Sequence, residues 1–144
     1  MDLDVVAFPA LIIANDGWVS LARHKEEISE WTPSAIAKYR ARQVVLYDSE
    51  NHAWEVESIA RANERSTFGK VLAVLRNAKT PVQLNVRLVA RPPVQVVHEI
   101  LMSAVDADDD ILTHWTEAAD LKKAIQETDS FATLVRVLKE KRAI

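Results

Sequence analysis

The chain has 144 residues, with 18 basic and 21 acidic side chains giving a net charge of −3, and it has no cysteine. That length suits one domain burying about two-thirds of its unfolded surface, so neither disulfides nor a structural metal is needed for folding. The lack of cysteine excludes a thiol nucleophile, thiolate zinc ligands and a disulfide frame, and it fits a reducing compartment.

The amino terminus, Met1 to Asp16, is acidic before its apolar run. A secretory signal wants a positive start, and the run is too short to span a bilayer, so a cytoplasmic protein without membrane association is expected. Val5 to Ala14 is nearly continuous apolar sequence interrupted by Pro9, which points to an edge strand or a bulge. Asn15-Asp16-Gly17 reads as a tight turn, with Gly17 supplying a positive φ, and Trp18 to Ala22 as the returning strand of a hairpin. Lys25 to Trp31 and Ser34 to Tyr39 read as short helical turns broken by Thr32-Pro33. Arg42 to Tyr47 is the third expected strand. Asp48 to His52 turns it, and Ala53 to Glu57 alternates as the fourth, completing a second hairpin.

Ser66 suits the N-cap of a helix carrying Phe68, Val71, Leu72 and Leu75 on one face, ended by Thr80-Pro81. Val82 to Ala90 alternates as a fifth strand, and Arg91-Pro92-Pro93 stops it because proline cannot donate to a sheet ladder. Val94, Val97, Leu101 and Ala104 recur at helical spacing. Thr116 with Glu117 opens another helix with Leu121 and Ile125 inward. Asp129 or Ser130 caps the last, whose stripe is Phe131, Leu134, Val135 and Leu138. Lys139, Lys141 and Arg142 follow at its carboxyl end, where the helix dipole favours them. No repeat or linker interrupts this order. The expected fold is therefore a single α+β domain over residues 1–144. It has a mainly antiparallel sheet of about five strands, from two hairpins and a later strand, packed by helices concentrated in the carboxyl-terminal half.

Motifs for catalysis are missing. There is no Walker loop or GxGxxG, and two glycines leave no room for a phosphate cradle. Neither Ser20 nor Ser103 lies in a nucleophile elbow. His24, His52, His98 and His114 are dispersed and read as surface or partly buried side chains. Asp106, Asp108, Asp110 and Glu117 match four ligand positions of a calcium loop, but Ile111 stands where that loop needs glycine. Ile111, Leu112 and Trp115 instead suggest a short helix capped by the aspartates. No enzymatic activity, metal or cofactor is expected.

Charge is segregated along the chain. Residues 60–91 hold seven bases and one acid, whereas residues 92–121 hold seven acids and no base. The plain explanation is attraction between neighbouring elements of the fold. The functional one makes Asp106, Asp108, Asp109, Asp110 and Glu117 an exposed partner-binding strip. Trp31 and Trp115, in polar and helical surroundings, suit half-exposed anchors for the same partner, whereas Trp18 and Trp54 suit the core. Arg61, Arg65, Lys70 and Arg76 do not share one helical face with interleaved aromatics, so nucleic acid is not the expected partner.

The order of short motifs is the Asp16-Gly17-Trp18 turn, VLYDS leading into HAWEV (Val45 to Val56), a short helix, LNVRLVA, a proline, an amphipathic helix, DADDD, and DSFATLVRVL (Asp129 to Leu138). This order resembles the small immunity proteins of bacterial toxin systems, particularly those of contact-dependent growth inhibition. The resemblance spans most of the chain as a pattern and brings no invariant functional residue with it. It implies a non-enzymatic protein that binds and neutralises a cognate toxin domain, often a nuclease. A nuclease's phosphate-binding groove is positive, and a negative patch would meet it with fast, selective association. The alternative is a small interaction adaptor without a toxin link. Oligomeric state is left open.

Overall fold

The computed structural model describes residues 1–40, 43–61, 76, 78–107 and 112–144. Among these, six strands and four helices make an α+β fold. The strands are β1 (Ala10–Ala14), β2 (Val19–Ala22), β3 (Glu30–Trp31), β4 (Val44–Asp48), β5 (Ala53–Arg61) and β6 (Thr80–Ala90). The helices are α1 (Pro33–Arg40), α2 (Val94–Ala107), α3 (Ala118–Gln126) and α4 (Phe131–Glu140). The strands form one curled sheet in the order β2-β1-β4-β5-β6-β3, every pairing antiparallel. The helix expected from Ser66, with Phe68, Val71, Leu72 and Leu75, lies outside the described residues. So do Arg42, Arg65, Lys70, Asp108, Asp109, Asp110 and Ile111.

β1 is buried along its whole length because both of its faces are covered. Ala10, Ile12 and Ala14 join a core with Val44, Leu46, Trp54, Val82, Leu84 and Val86, closed by Ile36 and Tyr39 of α1. Leu11 and Ile13 face the opposite core, built with Leu101, Leu121, Ile125, Leu134 and Leu138 of the carboxyl-terminal helices. A strand covered on both sides reads as an unbroken apolar run. The edge position expected from Pro9 is therefore wrong. The strand starts one residue after Pro9, so the proline never enters the ladder, and β1 lies between β2 and β4.

The first hairpin forms as its sequence dictates. Gly17 has φ +92, and the Trp18 amide donates to Asp16 Oδ1 at 3.1 Å, an Asx turn closing the reversal. Beyond β2 the expected helical run Lys25 to Trp31 divides into a 3-10 turn, Lys25–Ile28, and the two-residue strand β3. Long-range pairing overrides local preference here: Trp31 stands opposite Thr80, and the Val82 amide donates to the Ser29 carbonyl at 2.8 Å. Thr32 then caps α1, its hydroxyl accepting from the Ala35 amide at 3.2 Å, with Pro33 as the first helical residue.

The carboxyl-terminal helices follow their stripes. Val97, Leu101 and Ala104 of α2, Leu121 and Ile125 of α3, and Phe131, Leu134, Val135 and Leu138 of α4 are all buried. Ser130 forms a capping box with Thr133, each hydroxyl accepting from the other residue's amide at 3.2 and 3.1 Å.

The turn after β4 is organised by a carboxylate. Asp48 is 0% exposed. Its Oδ2 accepts from the Trp54 indole at 2.8 Å and the Ala7 amide at 3.2 Å, and its Oδ1 accepts from the Glu50 and His52 amides at 2.9 Å each. Burial by itself raises the pKa of this carboxyl. The hydrogen bonds, led by that of Trp54, outweigh burial and hold it below the usual aspartate value. Asp48→Ala strands those donors in the interior, so a loss of about 3 kcal/mol in urea denaturation is expected. Because the native pKa is depressed, the ionised carboxylate contributes its full stability above the unfolded value of about 3.9. That contribution drains as pH falls through the lower native value, and the Asp48→Ala protein should show a flatter acid limb than the parent.

Candidate functional site

Loop 112–117, leading into α3, holds two of the residues singled out in the sequence, Trp115 and Glu117. It is anchored inward by Leu112, which is buried in the helical core, and laterally by Thr116, whose hydroxyl donates to the Lys141 carbonyl at 3.0 Å. Trp115 points out of it and is 64% exposed, the most exposed large apolar side chain among the described residues. Two side chains contact its indole. The Arg142 guanidinium lies 5.3 Å from its ring centroid, and the His114 ring meets it edge-on at 4.8 Å. Arg142 reaches this position from a left-handed backbone conformation, φ +55, just after α4 ends.

This geometry corrects one expectation. Residues 112–117 form turns, not a helix that packs Leu112 and Trp115 together. Leu112 takes the inward position and leaves Trp115 to solvent. The apolar spacing was real, but it reports one anchor and one projecting ring.

The acidic residues around the loop divide three ways. Asp106, near the end of α2, is 64% exposed at its side chain and is ion-paired with Lys122 of α3. Glu117 is exposed at the N-cap of α3 without a side-chain capping bond, and Asp120 follows in the first turn, where negative charge suits the helix dipole. Asp108, Asp109 and Asp110 lie outside the described residues. The base-free stretch of sequence thus acquires bases in space, Lys122 from α3 and Arg142 from beyond α4.

Trp31 belongs elsewhere. It is 7% exposed, its indole N–H donates to the Ile28 carbonyl at 2.8 Å, and it packs against Trp18 and Tyr39 on the other face of the sheet. It is not a half-exposed anchor, because β3 draws it into the sheet. Its ring instead helps wall a cavity of about 350 Å³, together with Trp18, Tyr39, Glu27, Glu30 and Lys79. Sequence reasoning missed this cavity. Its walls come from four segments that only the curl of the sheet brings together.

Among the described residues no group of three His, Cys, Asp or Glu side chains is placed to hold a metal ion, and no helix is long and apolar enough to cross a membrane. His98 is more enclosed than expected. It is buried on α2 with Nε2 2.7 Å from Thr128 Oγ1, while that hydroxyl donates to the Ile125 carbonyl at 2.7 Å. The single Thr128 proton is thereby committed, so the ring donates from Nε2. Comparison with known proteins gave no matching family, no matching curated protein and no matching solved structure.

Burial lowers the His98 pKa below the ordinary histidine value. The unfolded chain therefore takes up the proton first. Stability is expected to be level above pH of about 6.5 and to fall with acidification below it. Comparing urea midpoints at about pH 7.5 and about pH 5.5 checks this, and His98→Gln should remove part of the slope.

Proposed function

We propose that this chain is a non-enzymatic immunity protein that binds and neutralises the toxin domain of its own bacterial system. The observation that carries the reading is Trp115, a large exposed indole flanked by Arg142 and His114, with Asp106 on α2 and Glu117 at the start of α3. A large aromatic costs little conformational entropy when it docks, which is why such side chains dominate protein interfaces. The neighbouring carboxylates, extended in sequence by Asp108, Asp109 and Asp110, suit the positive groove of a nuclease. The pattern of motifs resembling immunity proteins points the same way.

The test is co-expression with the toxin domain encoded next to this chain, followed by binding of the purified pair. The parent should protect cells and bind. Trp115→Ala should fold normally and lose about 2 kcal/mol of affinity. Replacing Asp108, Asp109 and Asp110 by Asn should slow association at low salt. That difference should shrink as the screening length falls from about 10 Å at 0.1 M to about 3 Å at 1 M salt. Full protection by the Trp115→Ala protein would remove the indole from the interface. No binding to any adjacent toxin domain would sink the reading and leave the interaction-adaptor alternative.

A further inference from the structure

The cavity beside Trp31 has a chemistry of its own. Its aromatic walls form one packed cluster: Trp18 and Tyr39 lie nearly stacked at 4.9 Å between centroids, and Trp31 meets them at 6.1 and 5.8 Å with its plane turned by 83° and 84°. Two carboxylates stand among the lining residues. Glu27 is already partnered within the chain: it accepts from the Arg23 amide at 2.7 Å, and the Arg23 guanidinium and the His24 ring lie 3.9 and 3.7 Å from its carboxylate. Glu30 is exposed and makes no ion pair among the described residues. Lys79, also exposed, lines the cavity too, and Glu30 is the carboxylate there that has no ion pair among the described residues. The volume lies within the range of about 300–1,000 Å³ typical of ligand pockets.

The same cluster already holds a cation within the chain. The Lys38 ammonium sits 5.2 Å from the centroid of the Tyr39 ring and 3.2 Å from Asp16 Oδ2. Ring, cation and carboxylate together form the arrangement that favours a positive group. The cavity repeats the ingredients, aromatic walls with a carboxylate, and no cation of the chain is paired with Glu30 among the described residues.

We infer that this cavity receives an arginine side chain from the protein that the chain binds. This rests on the proposed function for the partner's identity, but not for the chemistry of the pocket. Arginine suits it better than lysine because a planar guanidinium stacks on aromatic surfaces while still donating hydrogen bonds sideways to a carboxylate. The cavity lies on the opposite face of the sheet from the helical core beneath Trp115, so the two surfaces are separable by mutation.

The experiment follows the tryptophan indole N–H resonances of the labelled protein during titration with N-acetyl-arginine amide. Its neutral isostere, N-acetyl-citrulline amide, is run alongside. The Trp18 and Trp31 signals should shift with arginine at millimolar concentration and stay in place with citrulline, while Trp115 is unaffected. Glu30→Gln, on an exposed side chain that leaves the fold intact, should weaken binding by about tenfold, and Lys79→Gln should strengthen it. Equal responses to arginine and citrulline, or arginine binding untouched by Glu30→Gln, would overturn the inference. Toxin binding that is lost with Trp115→Ala yet indifferent to Glu30→Gln would retain the immunity reading and discard the arginine pocket.

Discussion

A buried carboxylate fixes the centre of this molecule. Asp48 ends β4, and its oxygens gather an indole and three backbone amides from both sides of the chain. The turn to β5 cannot be rebuilt without finding those amides another acceptor. The Ala7 amide brings the segment before β1 to the same point, and Ser49 returns the contact through its own amide and hydroxyl, each donating to the Ala7 carbonyl at 2.9 Å. One charge thus sets where β1 enters the sheet, where β4 stops and how Trp54 is oriented. An ion taken out of water is tolerated only when its lone pairs are fully occupied, and here they are.

What Asp48 positions, the sheet then divides. On one face the curl of β5 and β6 wraps α1 and the aromatic cluster. On the other, α2, α3 and α4 pack over β1, β2 and β4. The cluster and its cavity therefore belong to one core, and loop 112–117 with Trp115 belongs to the other. Some surface charges are paired locally, as in Arg87 with Glu55 and Glu57 across β5 and β6, or Lys122 with Asp106 between α2 and α3.

Features specified by near neighbours in sequence were legible in advance. Asn15-Asp16-Gly17 needs only its own backbone and one side chain to make its turn. The stripe Val97, Leu101 and Ala104 needs only helical geometry, and Ser130 caps the residues that follow it. Features specified by distant partners were not. Glu30 and Trp31 become a strand because β6 offers its edge at Thr80 and Pro81. Asp48 looked like an ordinary turn residue, and nothing local reveals that Ala7 and Trp54 will enclose it. The candidate site divides in the same way. The exposure of Trp115 was legible, while the charge surrounding it was misjudged because Lys122 and Arg142 arrive from elsewhere in the chain. The aromatic cavity escaped because Trp18, Trp31 and Tyr39 carry no motif until the sheet curls around them.

The double burial of β1 has a consequence for how this sequence can drift. A strand with one solvent-facing side, such as β6 has at Gln83 and Arg87, can exchange residues there without disturbing a core. Ala10 to Ala14 have no such side. Each enlargement presses on one core or the other, and each polar replacement leaves a group without water. The five residues of β1 should therefore change most slowly among divergent descendants of this chain, while exposed positions such as His114 and Trp115 are under no such packing constraint.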